Sequence, residues 1–106
     1  MPKYLIKGRY AAEGARGLLD EGGTARAEAA RKAVESVGGT LESYYFAFGE
    51  TDVYAIADFP DTAAVVATAL TIGSSGKVGV ETVVLLTPAE VDAASKLKAD
   101  YTPPGG

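Results

Sequence analysis

Three groups of side chains in this sequence have types and spacings that could do chemistry. The first is Asp52, which follows the polar turn Gly49-Glu50-Thr51 and opens an apolar run. A carboxylate there can accept main-chain N–H bonds across a hairpin, or it can receive a ligand amine or serve as a base. The second is the aromatic set Tyr44, Tyr45 and Tyr54 with Phe46 and Phe48. Such a set packs a core or an interface, or it walls an apolar pocket with a phenol as its polar handle. The third is Lys7 and Arg9, which alternate along the first apolar run and could be solvated edge charges or a carboxylate-binding pair. Asp52, Tyr45, Tyr54 and Arg9 are therefore the candidate ligand-binding residues, and no residue is assigned a catalytic role. Gly73-Ser74-Ser75-Gly76-Lys77 looks like a phosphate loop only superficially. It is too short, and it runs from helix to strand where a phosphate loop runs from strand to helix.

The chain has neither histidine nor cysteine. Without them there is no imidazole base, no thiolate nucleophile, no disulfide and no His/Cys zinc site. Any metal would need oxygen ligands alone, and no loop has the carboxylate spacing of a calcium site, so no metal or cofactor is expected. The net charge of −4 and scattered basic residues argue against a nucleic-acid partner. No apolar run approaches the roughly 20 residues that span a bilayer, and Met1 to Leu5 carries no signal-like h-region. A cytoplasmic protein without a membrane partner is expected.

The elements that must position these groups follow from the hydrophobic pattern. Lys3 to Tyr10 alternates as a strand, with Tyr4, Ile6 and Tyr10 on one face and Leu5, Lys7 and Arg9 on the other. Ala11 to Gly23 holds four glycines and reads as a connection with at most a helical turn over Ala15 to Asp20. Thr24 then serves as N-cap of a helix that Gly38-Gly39 stops. Leu41 to Phe48 and Val53 to Phe59 form a hairpin. Strict alternation puts Leu41, Tyr45 and Ala47 on one face of the first arm and Tyr44, Phe46 and Phe48 on the other. Pro60-Asp61 starts a helix over about 62–72 that is apolar nearly all round and so is expected to be buried on more than one side. Val78 to Leu86 is a fourth strand. Thr87-Pro88-Ala89-Glu90 opens a last helix to about Ala99. Residues 1–100 are expected to form one domain and 101–106 a flexible tail.

The order β-α-β-β-α-β with an added C-terminal helix is the ferredoxin-like α+β arrangement, with a four-stranded antiparallel sheet and both main helices on one face. Both sheet faces are apolar, yet the helices cover only one. Several hundred Å² of apolar surface at roughly 25 cal/mol per Å² is on the order of 10 kcal/mol left unburied. A homodimer or higher homo-oligomer packed sheet to sheet, the dimeric α+β barrel, is the expected assembly. The alternative is that the C-terminal helix covers part of that face within the same chain.

Gly49 to Asp61, together with Met1-Pro2-Lys3-Tyr4, Gly38-Gly39 and Val80-Glu81-Thr82, resembles the GYD-domain family of small prokaryotic proteins. The similarity covers about residues 3–90. It implies a dimeric α+β barrel and brings no established activity. Thr51 stands where that family usually has tyrosine, so no role of that ring carries over. The same stretch also resembles the effector-binding domain of Lrp/AsnC-type regulators, oligomers that bind amino acids, without their helix-turn-helix. Two functions are open on this reading. One is a small oligomeric module that binds a small molecule or serves assembly. The other is a cofactor-independent isomerase or monooxygenase in which Asp52 or a tyrosine manages protons.

Overall fold

The computed structural model describes residues 1–106 and places eight elements in chain order. These are β1 (Lys3–Tyr10), α1 (Ala12–Glu21), α2 (Gly23–Ser36), β2 (Thr40–Phe46), β3 (Val53–Asp58), α3 (Thr62–Ser74), β4 (Val78–Leu85) and α4 (Pro88–Ser95). The strands form one antiparallel sheet in the order β2-β3-β1-β4, the ferredoxin-like α+β topology that the sequence pattern predicts. Central β1 pairs with β3 from Lys3↔Asp58 to Gly8↔Val53 and with β4 from Lys3↔Leu85 to Tyr10↔Val78.

Several element ends follow local chemistry. After α2, Gly38 takes φ +87 and donates its N–H to Glu35 O at 3.0 Å, while Gly39 N donates to Val34 O at 2.9 Å. This is the Schellman stop, and it needs a residue at ease in the left-handed region. Asp61 caps α3 by accepting from Ala64 N at 2.8 Å. Thr87 and Glu90 close a reciprocal capping box on α4 at 3.1 and 3.0 Å. The Thr87 main-chain N–H, and after it the Thr87 hydroxyl, hold the Glu90 carboxyl below its usual pKa.

Four sequence expectations are corrected. Ala11 to Gly23 is not a loop with a short turn: α1 is a full helix of ten residues despite Gly14 and Gly17. Tertiary contact overrides low propensity here. Ala11 N donates to Lys77 O at 2.8 Å, and a Cβ on Gly14 would lie 2.2 Å from that same oxygen, so α1 seats directly on the chain entering β4. Thr24 is not the N-cap of α2, because helix geometry already begins at Gly23, and Gly22 caps it without a side-chain bond. Strict alternation along β2 also fails. A register shift between Leu41 and Ser43 turns Leu41 and Tyr44 toward the same, helix-covered face and leaves Tyr45 on the other. Such a bulge is invisible to a period-2 pattern. At the C-terminus α4 stops at Ser95, short of the expected Ala99.

The core lies between the sheet and α2 and α3. It is built on Tyr4, Val34, Leu41, Phe59 and Val65 with the small residues Ala55, Ala57 and Ala64. Phe59 is the one large side chain with no exposure, and it meets Tyr4 edge-on at 5.8 Å. The outer face of α3 stays exposed at Val66 and Leu70, so within one chain this apolar helix is covered on a single side. Every residue from Leu86 to Gly106 is exposed; α4 leaves the open sheet face uncovered. The radius of gyration, 16.8 Å, exceeds the ~13 Å of a compact chain this long because that C-terminal arm projects.

The two α1 glycines should part company on substitution. Gly17 has only the Glu21 side chain within 4 Å, so Gly17→Ala is expected to stabilise by roughly 0.5–1 kcal/mol. Gly14→Ala drives a methyl into a backbone oxygen and should destabilise by about 1–3 kcal/mol. Urea midpoints that move together would show that α1 does not dock as described.

Candidate functional site

The two helices on the covered face diverge. α2 packs chiefly on β2 and α3 chiefly on β4, and the central strands lie between these two contacts, with Tyr4 and Ala57 buried in the core. Those strands present Gly8, Val53 and Ala55 upward, and the facing side of α2 presents Ala29, Ala30 and Ala33. Small side chains on both surfaces leave a cavity of about 100 Å³. Sixteen residues line it, thirteen of them hydrophobic, and Arg26 is the one that carries a charge. Polar groups reach it at one end only. There the phenols of Tyr10 and Tyr44 and the guanidinium of Arg26 converge, while Thr68 is already committed to Ala64 O at 2.9 Å.

Tyr44 is held in place by an aromatic row along β2. Its ring meets Phe46 edge-on at 5.4 Å, and Phe46 stacks on Phe48 at 5.8 Å with ring planes 7° apart. Phe48 adopts φ +54, an uncommon left-handed conformation for a bulky residue, at the point where the chain leaves β2 for the turn. Burial pushes the Tyr44 phenol well above its ordinary pKa of 10.0, the adjacent Tyr10 hydroxyl pushes further the same way, and Arg26 opposes both. Tyr44 is thus a neutral hydrogen-bonding group across the physiological range.

The cavity opens outward past Tyr10, Arg26, Ile72 and Val78 into a second space of about 280 Å³. That vestibule is bordered by α1 through Glu13, Gly14, Gly17 and Glu21, and by Ser75 and Lys77. Arg26 Nη1 stands 3.8 Å from Glu21 Oε2 across it, beyond hydrogen-bond length.

The residues singled out from sequence lie elsewhere. Tyr45 and Tyr54 are cross-strand partners on the open sheet face, 70% and 38% exposed. Tyr54 also pairs with Lys7 of β1. Asp52 accepts the main-chain N–H of Tyr10 at 2.8 Å, and its own N–H donates to Gly8 O at 2.9 Å. Arg9 donates to Glu50 O at 2.7 Å. Asp52 and Arg9 therefore tie the β2–β3 turn to the end of β1, beside a shallow polar hollow that also includes Lys7, Thr51 and Glu81. Tyr44 was part of the aromatic set read from sequence. Tyr10 and Arg26 were not assigned to a site. Placement of Tyr10 on the same face of β1 as Ile6 was the available signal, whereas nothing in the local sequence marks Arg26.

Residues 4–95 match the family model described as GYD domain. The chain belongs to the GYD domain family. No curated protein and no solved structure matches it. The match spans every strand and runs to the end of α4, so the cavity, the vestibule and the tied turn all lie within the GYD domain. No helix of the domain is long and apolar enough to cross a membrane.

The pKa direction at Tyr44 has a measurable sign. A phenol whose folded pKa is raised contributes its stability below the unfolded value of 10.0 and loses it as pH climbs toward the folded value. Absorbance titration at 295 nm should leave one tyrosine un-ionised well past pH 10, released only on alkaline unfolding. Tyr44→Phe should remove that late step; its persistence in the variant would assign the buried phenol elsewhere.

Proposed function

We propose that this GYD domain is a small homo-oligomeric binding module that takes a small, largely apolar molecule into the cavity between its sheet and α2. The observation that carries this reading is an apolar space with all its free polar groups gathered at one end, the usual design of a small-ligand site. An engineered apolar cavity of ~150 Å³ admits benzene, so the inner space suits a ring-sized or branched alkyl group, and the vestibule gives room for a polar end. Binding is favoured over turnover because no carboxylate or amine lines the inner cavity. Asp52, a candidate amine acceptor or base from the sequence, accepts the Tyr10 amide N–H instead.

Assembly is the second half of the proposal. Thirteen large hydrophobic side chains are exposed in the single chain, against nine buried hydrophobic residues of which three are alanine. The open sheet face carries Leu5, Ile56, Val83 and Leu85 in adjacent register with Tyr45 and Tyr54. Lys3 bridges Glu42 at 2.7 Å and Asp58 at 3.2 Å at one end of this patch, and both bonds raise the Lys3 pKa. Four strands at ~4.8 Å spacing and about eight residues of ~3.3 Å make a face of about 500 Å². A stable interface covers about 800 Å² per partner. The projecting arm, with Leu86, Val91 and Leu97 exposed, supplies further apolar area beside that face. In this reading Tyr45 and Tyr54 serve the interface between copies, and Asp52 and Arg9 hold the turn.

A thermal-shift screen of small aromatic and aliphatic compounds, charged and neutral, tests the binding half. A ligand at a hundredfold excess over its Kd should add about 2.7 kcal/mol, which for a domain this size raises Tm by roughly 10–20 °C. Ala55→Leu, which places bulk on the cavity floor, should abolish that shift while the variant keeps its far-ultraviolet spectrum. A ligand that shifts both proteins equally binds outside the cavity.

Sedimentation equilibrium at micromolar concentration tests the assembly half. The wild-type chain is expected to sediment as a dimer or larger species, and Ile56→Lys as a folded monomer. A monomeric wild-type chain would end the sheet-to-sheet proposal.

A further inference from the structure

Building on the binding proposal, we infer that the molecule this cavity takes is a small monocarboxylic acid. Its ring or branched alkyl tail would lie over Ala55 and Val53, and its carboxylate would meet Arg26 at the inner edge of the vestibule.

The argument starts from the charge on the wall. Arg26 is the one ionic residue in contact with the apolar space, and it stands where that space joins the vestibule. Guanidinium groups favour planar bidentate oxygen partners, and such bonds are short, about 2.7–2.9 Å. Arg26 has no such partner in the chain. Its nearest carboxylate, Glu21, is at 3.8 Å, and the Glu21 side chain is half exposed on the outer side. The guanidinium thus has hydrogen-bonding capacity left over toward the cavity.

The two phenols complete the recognition. Tyr44 and Tyr10 stand at the same end as Arg26 and can each donate an O–H to an anionic oxygen. Tyr44 stays protonated and therefore remains a donor at neutral pH. Both phenols line the cavity, and the Tyr10 hydroxyl lies beside that of Tyr44. They are accessible to an entering group.

Charge also sets what is rejected. An amine at the same depth would face Arg26 with no carboxylate on the inner wall to offset it. Glu13 and Glu21 line only the outer vestibule, where Lys77 is also found, so that space carries both signs. A neutral ligand would gain the apolar contacts and leave Arg26 unmatched. Size limits the tail to about a phenyl ring, because the inner volume is about 100 Å³.

The test uses the full chain and four matched probes in titration calorimetry at pH 7.5: benzene, benzoate, benzamide and benzylamine. Benzoate is expected to bind at least tenfold more tightly than benzamide, with benzylamine weakest. Benzoate affinity should fall several-fold on adding salt. Arg26→Gln should lower benzoate affinity tenfold or more and leave benzene binding unchanged, with partial recovery in Arg26→Lys. Unchanged benzene binding also shows that each variant keeps its cavity. If benzene and benzamide bind and benzoate binds no tighter than benzamide, the acid inference is overturned while cavity binding stands. If benzene and benzoate both fail to bind the wild-type chain, the cavity proposal falls, and the acid inference with it.

Discussion

The structure depends on a mismatch between a sheet four strands wide and two helices that do not meet above it. α2 belongs to the β2 side and α3 to the β4 side, and the middle of the sheet must be filled from its own surface. The chain puts Gly8 and Ala55 there, so it is not filled. The shortage of bulk explains both the modest core and the site. A protein interior is ordinarily packed as densely as an organic crystal. Here, part of the volume that side chains would occupy stays open.

Stability is unevenly distributed around that space. On the hairpin side, the turn is held by three short bonds to β1, those of Arg9 to Glu50, of Tyr10 to Asp52 and of Asp52 to Gly8, and by one within the hairpin, of Ala47 to Asp52. The aromatic row from Tyr44 to Phe48 braces the same edge. On the opposite side the vestibule is bordered by α1, a helix with two internal glycines that rests on one close approach at Gly14. Local opening free energies are lowest where buried contacts are fewest.

The sequence made much of this fold legible. Alternation located β1, β3 and β4, capping residues located the starts of α3 and α4, and Gly38-Gly39 located the end of α2. The failures have a common cause, which is contact between residues distant in the chain. α1 forms against its propensity because Lys77, more than sixty positions away, receives it. The site was less legible than the fold. Asp52 and Arg9 looked chemical because their types are reactive, yet main-chain groups engage both. Arg26 looked like one charge among several on a solvated helix, and it acquires meaning only where α2 passes over Tyr10 and Tyr44.

The bulge between Leu41 and Ser43 also fixes which of two adjacent phenols is inside. It adds one residue to β2 relative to β3, and the faces of everything downstream exchange. A strand that kept this residue but ran in strict alternation, without the bulge, would turn Tyr45 inward and Tyr44 outward. Since both positions are tyrosine, a hydroxyl would still enter the cavity and another would still lie on the open sheet. The doubled tyrosine makes the chemistry of both faces tolerant of a one-residue slip in register. The aromatic row is not protected in this way, because Phe46 would give way to Ala47 against Gly23. Straightening this bulge would therefore alter the bracing of the site before it altered its polar groups.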